Sequence, residues 1–150
     1  MHAQQEYRDS LKHLSSLLAK THKALVDYEL SLRELQVGEC FNAGTKLQML
    51  IQDPAFAWLR TMSQLMVLVD DAIYQKEPLA EEQYLNLREE VKKLMVDKTT
   101  TEFARPFDSI CKKVPEIRHE HDKIVSFLEQ RPSGYGPEEA ELSVRDIQGP

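Results

Sequence analysis

The sequence predicts an all-α fold, an up-down bundle of four main helices plus a short connecting helix. Apolar residues recur at helical spacing in every long segment, and glycines and prolines fall mostly between those segments. The 150 residues are 41% hydrophobic and 29% charged, a composition typical of a globular domain. We expect residues 1–130 to form the bundle and residues 131–150 to form a linker and a loose acidic tail.

The first helix is predicted over residues 4–37, which contain no proline or glycine. Its apolar positions alternate steps of four and three residues, a spacing that holds one seam of a helix against a partner. The seam comprises Tyr7, Leu11, Leu14, Leu18, Thr21, Leu25, Tyr28, Leu32 and Leu35. Two interpretations remain open. Either the seam packs inside its own chain, or Leu11, Leu14, Leu18, Leu25 and Leu32 form the interface of a homodimer.

Gly38 is the expected end of the first helix, because glycine readily adopts the conformation that follows a C-cap. A short helix is predicted over residues 46–52. Asp53 and Pro54 are then a favourable N-cap and first helical residue, so a second long helix should run over residues 54–75. That helix is apolar nearly all round, which indicates a central position.

Two more helical segments follow, at residues 80–96 and 102–130. Pro106 should fall in the first turn of the latter, where proline is tolerated. Pro115 lies in its interior, so we expect a kink or a break there.

For several classes of function, the sequence lacks a feature that the class requires. The net charge is −6, and no basic stretch that could bind nucleic acid is present. The longest apolar run, MVLV at residues 66–69, is too short to span a membrane, and the N-terminus does not resemble a secretion signal. Two isolated cysteines, Cys40 and Cys111, suit the reducing cytoplasm. No glycine-rich phosphate loop and no nucleophile motif occurs, so no cofactor and no catalytic residue is assigned.

A metal site is also not predicted. Glu116 and His119 have the spacing of the Glu-x-x-His element found in di-iron bundles. Such a site needs a second copy of the motif and two further glutamates on facing helices. The second long helix offers no inward glutamate, and His13 and His22 lie off the seam of the first helix.

Asp70, His121 and Trp58 are the candidate ligand-binding residues. Asp70 flanks the stripe of the most apolar helix, and His121 lies on the apolar row of the last one. A carboxylate beside a core needs a partner, and an imidazole is a suitable one. The two could form a buried structural pair, stand separately at the boundary of the core, or line a small polar pocket.

From Tyr28 to about Leu79 the sequence resembles a family of small, uncharacterised bacterial all-helical proteins. The segment that carries the resemblance is LQMLIQDPAFAWLRTMSQLMVLVDDAI, residues 47–73, and DPAFAWL is its most distinctive part. Glu77-Pro78-Leu79 matches a tripeptide of that family, whereas Thr61-Met62 stands where the family has Pro-Leu. The resemblance spans about a third of the chain. It implies a bacterial origin and a helical fold, and it transfers no activity.

The sequence therefore favours a non-enzymatic interaction or regulatory protein that associates with itself. The alternative is a bundle that binds or transforms a small molecule near Asp70 and His121. An interaction protein should expose an apolar strip on the first or second long helix. A small-molecule protein should bury both strips and enclose a concave polar site.

Overall fold

A computed structural model of the chain describes residues 2–130. Within that range it contains α1 (His2–Val37), α2 (Ala43–Gln52), α3 (Ala57–Tyr74), α4 (Glu81–Met95), α5 (Thr101–Lys113) and α6 (Pro115–Glu129). A 3₁₀ turn, Pro54–Phe56, precedes α3, and no strand occurs in the described range. The all-α prediction is confirmed. The linker and tail expected at residues 131–150 lie outside the described residues.

The ends of the first helices follow local chemistry. Gly38 has a φ of 79°, and its N–H donates to the Glu34 carbonyl oxygen at 2.8 Å, so α1 ends where predicted. Asn42 accepts from the Thr45 N–H at 2.8 Å, and this cap starts α2 earlier than residue 46. Asp53 accepts from the Ala55 N–H at 2.9 Å as expected, but the cap opens the 3₁₀ turn rather than α3 itself.

The two prolines of the last helical segment behave differently. Pro115 breaks the chain into α5 and α6, in agreement with the expected kink or break, and it becomes the first residue of α6. Pro106 was expected in a first turn. It is the sixth residue of α5 instead, and the helix continues through it at the loss of one backbone donor.

Helices α3 and α6 both pack along α1. Arg8 of α1 donates to the carbonyl oxygen of Ile73 near the end of α3, and Ser15 donates to Asp70. Because position increases along α1 while it decreases along α3, the two helices are antiparallel. His13 lies 5.3 Å, between ring centroids, from Phe127 of α6. Within the described range, no helix combines the length and apolarity that crossing a membrane requires.

Helix α1 is much longer than the helices packed on it. Its 36 residues span about 54 Å, whereas the 18 residues of α3 span about 27 Å. The C-terminal part of α1 therefore receives less cover. Leu35 is 80% exposed, and Val37 is also exposed.

Helix α3 is less enclosed than its apolar sequence predicts. Leu59, Met62, Val69 and Ile73 are buried, as expected for a core helix. Val67, Leu68 and Tyr74 are exposed, although all three are large and apolar. The prediction of a central helix was wrong for this side, because α1, α4 and α5 leave one face of α3 open.

Candidate functional site

Asp70 and His121, the main residues proposed from the sequence, bind different partners. Asp70 is exposed on α3, and its Oδ1 accepts from the Ser15 hydroxyl at 2.7 Å. His121 is half-buried on α6, and its Nε2 lies 2.7 Å from the Met95 carbonyl oxygen. Since a carbonyl oxygen only accepts, Nε2 carries the proton in this bond. No hydrogen bond or ion pair joins Asp70 to His121 in the described part of the chain.

The other ring contacts of these candidates belong to the core. The edge of the His121 ring meets Phe107 at 4.8 Å, with an interplanar angle of 79°. Trp58, half-buried near the start of α3, lies 5.5 Å from Phe103. Aromatic contacts of this kind stabilise packing. The structure thus brings neither Trp58 nor His121 to the carboxylate of Asp70.

The proposed dimer seam divides into two parts. Leu11, Leu14, Leu18 and Leu25 are fully buried against other helices of their own chain. Leu32 is 37% exposed, and Leu35, the next seam position, is 80% exposed. Only the end of the seam is therefore accessible to a second molecule in this fold.

Exposed apolar side chains occur both at that end of the seam and on the helix that follows it. They include Leu32, Leu35 and Val37 of α1 and Leu47 and Ile51 of α2. Helix α2 buries none of its residues fully. The Glu34 carboxylate connects the end of α1 to the following loop and to α2. It accepts a hydrogen bond from the Phe41 N–H at 2.8 Å and lies 3.9 Å from Lys46 Nζ. The apolar pattern alone did not predict which of these residues are exposed, although the first helix was predicted to be longer than any other and so to extend past its neighbours.

Three groups near the core have shifted pKa values. Burial raises the pKa of the Cys111 thiol to about 11, and the nearby Asp108 carboxylate adds to that shift. Desolvation lowers the pKa of His22, against a weaker opposing interaction with the Leu59 backbone. Desolvation also raises the pKa of Glu29, although Arg33 and Lys113 oppose it.

Among the described residues, the larger concave regions are open clefts rather than enclosed cavities. One of them, of about 400 Å³, lies between α1 and α6 and is lined by His13, Leu17, His119, Asp122, Lys123, Ser126, Phe127 and Gln130. Among the described residues, no group of three or more histidine, cysteine, aspartate or glutamate side chains is placed to hold a metal ion.

A second cleft, of about 520 Å³, lies between α3 and α4. It is lined by Leu68, Asp71, Ala72, Gln75, Ala80, Glu82, Gln83, Asn86, Leu87 and Glu90. A smaller cleft of about 250 Å³ continues it along the same pair of helices and shares Leu68 and Glu90 with it. Together they form one groove, called here the α3–α4 groove.

Neither a protein-family model, nor a curated protein, nor a solved structure matches this chain.

Proposed function

We propose that this chain is a non-enzymatic interaction protein that associates with itself through the exposed end of its first helix. The observation that carries the proposal is the exposure of Leu35, at 80%, in a seam whose earlier leucines are buried. Apolar strips left open on a folded chain are typical of contact sites. This is the pattern expected of an interaction protein rather than of a small-molecule protein.

A second copy is the occupant that the spacing favours. Leu32 and Leu35 continue the same alternation of four and three residues that packs α1 in its own chain, so they suit another helix with the same spacing. The positions that flank them in a helical pair are Ser31 and Gln36, which are uncharged. Two identical helices can approach there without repulsion between like charges.

The small-molecule alternative has weaker support. Asp70 and His121 have separate partners, and the cleft at His13 and His119 is open. Native mass spectrometry of the purified chain tests this alternative directly. A retained small molecule whose loss follows substitution of His119 or Asp122 would favour it over self-association.

Two further proposals concern the arrangement of the helices and the cellular origin of the protein. We propose that the helices form an up-down bundle, with α5 and α6 together as its fourth member. The antiparallel pairing of α1 with α3 supports this arrangement. We also propose a bacterial cytoplasmic protein of the family that carries a DPAFAWL-type segment, on the basis of that segment and of the exposed thiol of Cys40.

The test is the molar mass in solution across a range of concentrations, by light scattering or sedimentation. The unsubstituted chain should be a dimer at micromolar concentrations, and Leu35→Glu should be a folded monomer. Leu68→Glu is the matched control, since Leu68 is also exposed but lies on α3. It should leave the mass unchanged. A parent that stays monomeric at high concentration, or a Leu35→Glu variant that stays dimeric, would overturn the proposal.

A further inference from the structure

The α3–α4 groove has an apolar floor. Leu68, at its middle, is 55% exposed, so a large apolar side chain is open to solvent there. Ala72 and Leu87 line the groove beside it, and Leu65 and Leu94 line its continuation. The groove therefore leaves apolar side chains of both helices open to a ligand.

The length of the groove suits a helix. The groove extends from Thr61 of α3 to Gln75, the residue directly after α3, which corresponds to about 21 Å of helix, or about four turns. At one end, Gln75 and Gln83 exchange two side-chain hydrogen bonds, of 3.1 and 2.9 Å, across the two helices. This pair fixes the spacing of α3 and α4 where the groove closes. An amphipathic helix of four turns would lay its apolar face along the floor.

The rim of the groove is acidic. Asp71, Glu82 and Glu90 line it against a single cation, Lys93. Glu90 lies 3.6 Å from Lys93, whereas Asp71 and Glu82 have no ion pair within the described range. Carboxylates that lack a counter-charge beside an apolar floor are complementary to a ligand with basic residues flanking its apolar stripe.

We propose that the α3–α4 groove binds a basic amphipathic helix of a partner protein. The apolar floor would take leucine-like side chains at helical spacing, and Asp71 and Glu82 would pair with lysine or arginine at the edge. The acidic segment 137–150 of this chain suits the groove poorly, because it carries four acidic residues and one arginine. This site is separate from the exposed end of α1 and does not depend on self-association.

The probe is a designed, fluorescently labelled peptide of leucine and lysine, about four turns long, with its leucines in one helical stripe. Binding to the full-length chain is measured by fluorescence anisotropy. A scrambled peptide of the same composition and a peptide with glutamate in place of lysine serve as the two ligand controls. The basic amphipathic peptide should bind at least tenfold more tightly than either.

The apolar contact is tested by Leu68→Ser, which should weaken binding about tenfold because a buried leucine contact is lost. Leu47→Ser is the matched control, since it makes the same change at another exposed leucine, which lies outside the groove. It should leave the affinity unchanged. Circular dichroism on both variants verifies that they are folded. Equal affinity of the two variants for the peptide would overturn the proposal.

The electrostatic contact is tested by the double variant Asp71→Asn, Glu82→Gln. Its affinity should fall several-fold, and the dependence of affinity on salt should become weaker. The control, Glu89→Gln with Glu116→Gln, removes the same charge from residues outside the groove. Three results would overturn the proposal: an equal loss in the control, tighter binding of a peptide of residues 137–150, or a lower molar mass of the chain caused by Leu68→Ser. The last two would assign the groove to the tail or to a second copy.

Discussion

The guanidinium of Arg88 lies 5.0 Å from the centroid of the Phe127 ring, where it joins α4 to the end of α6. Arg88 is buried, and it also donates to the carbonyl oxygens of Leu128 at 3.4 Å and Gln130 at 3.1 Å. The last carbonyls of a helix have no partner within the helix, and a basic side chain is a favourable donor to them. Arg88 therefore caps α6 from a neighbouring helix.

Replacing Arg88 should destabilise the fold. Arg88→Ala removes the two hydrogen bonds to α6 and the cation–π contact with Phe127, as well as the hydrogen bond and cation–π contact that Arg88 makes with Tyr84. The free energy of unfolding should therefore fall by about 2–3 kcal/mol. Arg88→Lys keeps the charge but not the planar fork, and its loss should be intermediate. Urea denaturation measures both variants. A loss below about 0.5 kcal/mol in Arg88→Ala would contradict a capping role, since surface substitutions commonly have effects of that size.

Stability should decrease in mildly acidic solution because of His22. Its pKa in the folded chain is lowered from the ordinary value of 6.5. The unfolded chain therefore takes up this proton at a higher pH than the folded chain does. The contribution of His22 to the free energy of unfolding is complete above pH 6.5 and is lost as the pH falls through the folded-state pKa.

Urea denaturation at several pH values between 5 and 8 measures how the free energy of unfolding depends on pH, and His22 should contribute the equivalent of about one proton to that dependence. In His22→Gln, the free energy of unfolding should decrease less steeply as the pH falls toward 5. His119→Gln, at an exposed histidine, should leave the slope as it is in the parent. If His22→Gln keeps the full slope, another group causes it.

The two thiols should differ strongly in reactivity. Cys40 is exposed, whereas Cys111 is buried and has a pKa of about 11. At pH 8 roughly one in a thousand Cys111 side chains is a thiolate, which is the reactive form. An aromatic disulfide reagent should modify one thiol quickly in the folded chain and the second only after denaturation.

Single substitutions assign the two phases of that reaction. Cys111→Ser should keep the fast phase, and Cys40→Ser should abolish it. Rapid modification of folded Cys40→Ser would show that Cys111 is accessible.

Gly38 should be required for its backbone conformation alone. With φ at +79° and no atom within 4 Å of an added Cβ, Gly38→Ala meets backbone strain but no steric clash. The free energy of unfolding should fall by about 1 kcal/mol. Gly44→Ala is the control, because the nearest atom to its Cβ, Asn42 Oδ1, lies at an ordinary 3.6 Å. It should raise the stability by up to about 1 kcal/mol. Thermal denaturation compares the two, and equal effects would contradict this explanation.

Local signals in the sequence predicted most of the secondary structure. Gly38, Asp53 and Pro115 mark boundaries because each constrains only its own backbone or its nearest neighbours, and the structure has helix boundaries at or beside all three. The candidate site was less predictable. Asp70 and His121 share apolar patterns with the core, but the hydrogen-bond partners of each lie on distant parts of the chain, Ser15 and Met95.

The helical character of the chain, the ends of its helices and the residues of the α1 seam follow from local sequence patterns. Which part of that seam is covered depends on the tertiary structure. Leu14 and Leu35 occupy equivalent positions in the repeat, yet Leu14 is fully buried and Leu35 is 80% exposed. Periodicity specifies a face of a helix, whereas burial depends on how far the neighbouring helices extend along it. For the same reason, the open side of α3 and the acidic rim of the α3–α4 groove depend on how α4 packs beside α3.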